Sequence, residues 1–83
     1  MKVTVRYFAS IREAIGVSSE ALDTGAPTLA ALRDELMSQG GARAASLARG
    51  RAVRLALNQV MCDEGEALLE GAEVAFFPPV TGG

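Results

Sequence analysis

Apolar and polar positions alternate from the first residues: Val3, Val5 and Tyr7 interleave with Thr4, Arg6 and Phe8, the period of a half-buried strand. Ala9 to Ile15 predicts a short helix, with Ser10 as its N-cap and Gly16 as its stop. Val17 to Leu22 reads as a second strand returning beside the first. Pro27 and Thr28 then open the clearest helix, with Thr28 as N-cap. Leu29, Leu32, Leu36 and Met37 keep one apolar stripe, while Arg33, Asp34 and Glu35 fall away from it. Gly40 and Gly41 end that helix.

The Ala/Arg-rich segment 42–52 predicts a loop containing a short helix around Ala44 to Ala48. Alternation resumes at Arg54 to Asn58, with Leu55 and Leu57 inward. Asn58 and Gln59 form a turn, Val60 to Cys62 a short strand, Glu70 and Gly71 another turn, and Glu73 to Phe77 the last strand. This order is an α+β pattern: a mixed sheet of about five strands with one main helix packed across one face. It suits the β-grasp, or ubiquitin-like, architecture, in which the first and last strands lie side by side in mid-sheet. A central last strand explains why Val74 and Phe76 are apolar and why the prolines come only after it.

Composition narrows what such a domain can do. Its 83 residues, 49% of them apolar, suffice for one small core but not for a core plus an enclosed catalytic cleft. The chain has no histidine and a single lysine, Lys2, so the usual acid–base group at neutral pH is missing. A lone Cys62, with no histidine or second cysteine, is neither a metal set nor an equipped nucleophile; a buried thiol is the expectation. No phosphate-cradling glycine motif occurs, so ATP is not expected to bind this chain, nor is any other cofactor or metal. A net charge of −2 argues against nucleic acid, and no apolar run approaches the length of a membrane span. Met1 to Val5 lacks the apolar block of a secretory leader. With one cysteine, this sets the expected location as cytoplasmic.

The strongest chemical signal lies after the last strand, in Pro78-Pro79-Val80-Thr81-Gly82-Gly83. The two prolines fix φ and cannot donate to a sheet, so a body of residues 1–77 is expected to give way to an extended tail, 78–83. Such a tail reaches about 20 Å, at about 3.3 Å per residue. A final glycine pair leaves a slim α-carboxylate suited to another protein's active site. A glycine-bearing terminus can equally be incidental.

The segment from Ala75 to Gly83, Ala-Phe-Phe-Pro-Pro-Val-Thr-Gly-Gly, closely resembles the C-terminus of the MoaD family, the small sulfur carriers of molybdopterin synthase. The resemblance extends to Phe8-Ala9 with Arg12-Glu13, to Leu32-Arg33, to Asn58-Gln59 and to Glu70-Gly71 before Glu73-Val74, and so spans the chain. It implies that Gly83 is the working group. An E1-like activating enzyme of the MoeB type uses ATP to adenylate the carboxylate, and a sulfur donor converts it to a thiocarboxylate. The loaded carrier then joins a MoaE-type large catalytic subunit in a dimer of heterodimers. There it gives sulfur to cyclic pyranopterin monophosphate, two carriers serving each dithiolene. The small subunit itself is not catalytic.

The residues suit that chemistry. A carboxylate is a poor acyl electrophile until it carries a leaving group such as AMP. Glycine at 83 removes the Cβ that would obstruct attack, and Gly82 lets the backbone thread a narrow channel behind Thr81, Val80, Pro79 and Pro78. Alternation also places Phe8 with Phe77, and Met61 nearby, on the face away from the main helix. The resemblance makes these three the partner-binding patch, against the plainer reading of ordinary core residues. Two alternatives stay open: a carrier serving thiazole or another product, or a protein modifier linked through Gly83. A third reading, from another class, is a passive ubiquitin-like binding module.

Overall fold

The computed structural model describes residues 1–79. The strands are β1 (Lys2–Tyr7), β2 (Ser19–Asp23), β3 (Arg54–Leu57), β4 (Val60–Cys62) and β5 (Glu73–Phe77). The helices are α1 (Ala9–Ile15), α2 (Leu29–Met37) and α3 (Gly41–Leu47). One mixed five-stranded sheet runs β2-β1-β5-β3-β4, with β1 and β5 parallel at its centre and the other pairings antiparallel. This is the β-grasp arrangement, carrying two short helices besides the main one.

The core follows from the alternation. Val3, Val5 and Tyr7 point to the helices from β1, and Val74 and Phe76 do so from β5, each almost inaccessible to solvent. Leu29, Leu32 and Leu36 meet them from α2, and Leu47 from α3, all four fully buried. Tyr7 and Phe76 lie side by side on paired strands with ring centroids 6.2 Å apart. The buried Tyr7 hydroxyl donates to Glu20 Oε2 at 2.6 Å, and Arg43 donates to the same carboxylate at 3.0–3.2 Å. The polar tip of the largest core residue is thereby satisfied without water.

Thr28 caps α2 as expected, its Oγ1 accepting from the Ala31 N–H at 3.2 Å. Two further N–H groups of that first turn, from Leu29 and Ala30, donate to the Glu66 and Glu64 carbonyls of the β4–β5 connection. Three expectations are corrected. Phe8, not Ser10, is the N-cap of α1, and it supplies no side-chain bond; Gly16 does end that helix, at φ 94°. The helix after Gly40 spans Gly41–Leu47, because Gly40 and Gly41 both hold positive φ and reverse the chain straight into it. Arg33 does not fall away from the apolar stripe of α2. It is only 4% exposed, and its Nε and Nη2 donate to the Leu47 and Ala48 carbonyls at 2.7 and 3.0 Å. These bonds tie the end of α3 to α2 and compensate the buried guanidinium.

Candidate functional site

The sheet has two unlike faces, and the helices cover only one. On the other, the register builds a row from Arg6 through Ala75 and Ala56 to Met61. The next row places Phe8, at the exit of β1, beside Phe77, which pairs with Arg54. The two alanines leave a low floor between taller walls, forming an open groove of about 710 Å³ lined chiefly by apolar atoms. Phe8, Met61 and Phe77 all line it, as do Pro78 and Pro79. The structure thus brings the three expected patch residues together. Val80, Thr81, Gly82 and Gly83 lie outside the described residues.

The walls are held in place by specific contacts. The Phe8 and Phe77 rings meet edge to face, centroids 6.4 Å apart at 88°. The Arg6 guanidinium lies 5.3 Å from the centre of the Phe8 ring and within 3.7 Å of the Glu73 carboxylate. Glu73 is in turn anchored through its backbone: its N–H donates to Asn58 Oδ1 at 2.9 Å, and the Asn58 N–H donates to its carbonyl at 2.8 Å. Phe8 remains 38% exposed and Met61 59% exposed, so large apolar surface stays in water. The central strand β5 ends at Phe77, and Pro78 and Pro79 continue along the groove wall. A partner seated on this face would meet the root of the tail.

Backbone strain gathers here too. Among the described residues, three non-glycine residues hold a positive φ: Ala9 at 51°, Asn58 at 50° and Gln59 at 69°. Ala9 and Gln59 line the groove, and Asn58 lies between Gln59 and the strand that floors it. Left-handed backbone costs about 1–2 kcal/mol for most side chains, least for asparagine. Such conformations concentrate at functional sites.

The other reactive side chains stand apart. Cys62 is half-buried on the core side of β4, opposite Leu55. Burial, then the Glu66 and Asp63 carboxylates, raise its thiol pKa and keep it protonated. Burial first, and Glu20 second, also raise the pKa of the Tyr7 phenol. Arg49 bridges Asp34 and Glu64, and those hydrogen bonds hold it protonated. The arrangement can dock an apolar surface and present a chain end. Among the described residues it assembles no nucleophile with a base. Ala56 and Arg6 join the site without having been picked out from the sequence, and Ala9 and Gln59, noted there only for local structure and within the family resemblance, join it as groove-lining residues. Cross-strand pairing of the two alternating segments was the signal that could have found Ala56, since it lies opposite Ala75.

The family model described as the ThiS family matches residues 5–83. The molybdopterin synthase sulfur carrier subunit of Escherichia coli (strain K12) is 38% identical over 81 residues, 98% of this chain and 99% of that one. A protein–protein complex of subunits 1 and 2 of the molybdopterin-converting factor from Helicobacter pylori 26695 contains a similar chain. It has a TM-score of 0.70 and 28% identity, with both chains covered in full. SAMP1 from Haloferax volcanii is similar at a TM-score of 0.77 and 24% identity over the whole of both chains, a likeness of fold.

Proposed function

The chain belongs to the ThiS family, and from that premise we propose that it is the sulfur-carrier subunit of a molybdopterin synthase, with Gly83 as its working residue. One observation carries the proposal: the exposed apolar groove lies at the root of the tail, beside Phe77, Pro78 and Pro79. Docking this face positions the chain end without any catalytic group from the carrier. Residues 1–77 serve as the body and 78–83 as the tail.

Two kinds of partner use the face in turn. A MoeB-type activating enzyme adenylates Gly83: a carboxylate oxygen bonds to the α-phosphorus of ATP and pyrophosphate leaves. Sulfur from a donor then displaces AMP, giving a thiocarboxylate. A MoaE-type large subunit, in a dimer of heterodimers, receives the loaded carrier. The sulfur passes to cyclic pyranopterin monophosphate, two carriers per dithiolene, and water cleaves the acyl–sulfur bond at Gly83, which returns as a carboxylate. A thiocarboxylate is nucleophilic at neutral pH with no base beside it, which suits a chain without histidine. The chain needs no cofactor or metal of its own, ATP entering through the activating enzyme. Its place is the cytoplasm, where a half-buried, protonated Cys62 stays reduced.

The similarity of the complex of subunits 1 and 2 supports a large-subunit partner. The test is the intact mass of the full chain after incubation with ATP, a MoeB-type enzyme and a sulfide source, with C-terminal peptide fragmentation. Exchange of one oxygen for sulfur at Gly83, absent from a chain lacking that residue, is expected. An unchanged mass beside an enzyme active on another carrier would overturn the proposal and favour the passive binding module.

A further inference from the structure

The β3–β4 turn holds a side chain that its backbone does not call for. Two-residue hairpins with positive φ at both positions strongly favour glycine at the second. Gln59 occupies that position at φ 69°. Its neighbour Asn58 has an evident structural role, since it exchanges two hydrogen bonds with Glu73 and pins the hairpin to β5. Gln59 has none: its side chain is exposed and its amide makes no hydrogen bond with the described residues. Yet it lines the apolar groove with Met61 and Ala56. A strained non-glycine residue at the rim of the groove, with its amide open to solvent, points to a contact outside the chain.

We propose that the Gln59 amide is a specificity-determining contact of the docking face, pairing with an exposed main-chain peptide group of the large subunit beside the groove. The rest of the rim narrows the complement to a neutral one. The charged groups there, Arg6 and Glu73, already pair with each other at 3.7 Å, so the groove lining offers no unpaired charge to a charged group on the partner. An amide offers a donor and an acceptor in one plane, the pattern that matches a peptide N–H and C=O. The short turn fixes the backbone of Gln59 at the edge of the alanine floor, so its amide reaches the groove rim, where a slipped or mismatched partner leaves it unpaired and desolvated. The inference rests on the docking role proposed above.

The experiment is a calorimetric titration of the full chain with its MoaE-type subunit, beside thermal melts, for wild type, Gln59→Gly and Gln59→Glu. Gln59→Gly relieves the turn, so its melting midpoint is expected to stay level or rise by a few degrees. Its Kd should rise about tenfold, the effect of losing a buried hydrogen-bonded group. Gln59→Glu, which keeps the shape but cannot donate, should weaken binding at least as much. Wild-type affinity in Gln59→Gly would overturn the contact, and so would a midpoint several degrees lower, which would make Gln59 a brace of the hairpin. A wild-type chain that does not bind the large subunit at all would instead bring down the docking role, and the contact with it.

Discussion

Phe76 and Phe77 are neighbours in one strand and share one side-chain chemistry, yet they belong to different parts of the protein. Phe76 points to the helices, is fully buried and lies against Tyr7. Phe77 points the other way, is half-buried and rests on Phe8 at the groove wall. The period of a strand separates the two roles by a single residue. The covered face spends its apolar residues on folding. The open face keeps Phe8, Met61 and Phe77 in reach of a partner over a floor of alanines. One sheet therefore provides a buried core on one face and an exposed apolar groove on the other, through residues that barely overlap.

Truncating the covered side should have the largest effect. Phe76→Ala should lower unfolding stability by about 3–5 kcal/mol, a large share of what a domain of this size has, as read by denaturant melts. Loss of no more than about 1 kcal/mol would mean that Phe76 is not the core residue its burial describes.

A smaller effect is expected from ionising the one phenol of the covered face. Tyr7 is the only tyrosine, so tyrosinate absorbance reports on it directly. Its pKa is raised in the folded chain by burial and then by Glu20. Folding therefore holds the phenol proton more tightly than the unfolded chain does. The associated stability is fully present below the ordinary tyrosine value of about 10 and falls as pH climbs above it. Ionisation should accordingly be delayed past that value and then coincide with unfolding, followed by far-ultraviolet circular dichroism. Titration at the ordinary value in a folded chain would contradict the burial.

Much of this division was legible in the sequence because strand alternation is a local signal. Val3, Val5 and Tyr7 on one side, and Phe8 with Phe77 on the other, follow from counting by two. Thr28 before an apolar stripe marked its helix for the same reason. What escaped depended on partners distant in the chain. Arg33 reads as a surface residue until the Leu47 and Ala48 carbonyls come round to receive it. Ser10 looks like a cap, but the chain leaves β1 so directly that Phe8 takes that place. Ala56 gives no signal of its own, since an alanine becomes part of a floor only when its neighbours across the sheet are known. Gln59 was visible as part of a turn, whereas its strain and its place in the groove were not. The tail was the plainest chemical signal, carried by residue type more than by geometry.

The docking role of the open face is tested most directly by the affinity of Phe77→Ala for the MoaE-type subunit, measured by calorimetry on a chain whose melt has been recorded. Truncating a half-buried ring should cost about 1 kcal/mol of stability and leave the domain folded. Removing it from the centre of an interface should cost at least about 2 kcal/mol of binding, roughly thirtyfold in Kd. A folded Phe77→Ala chain that binds as tightly as wild type would contradict the assignment of this face to docking.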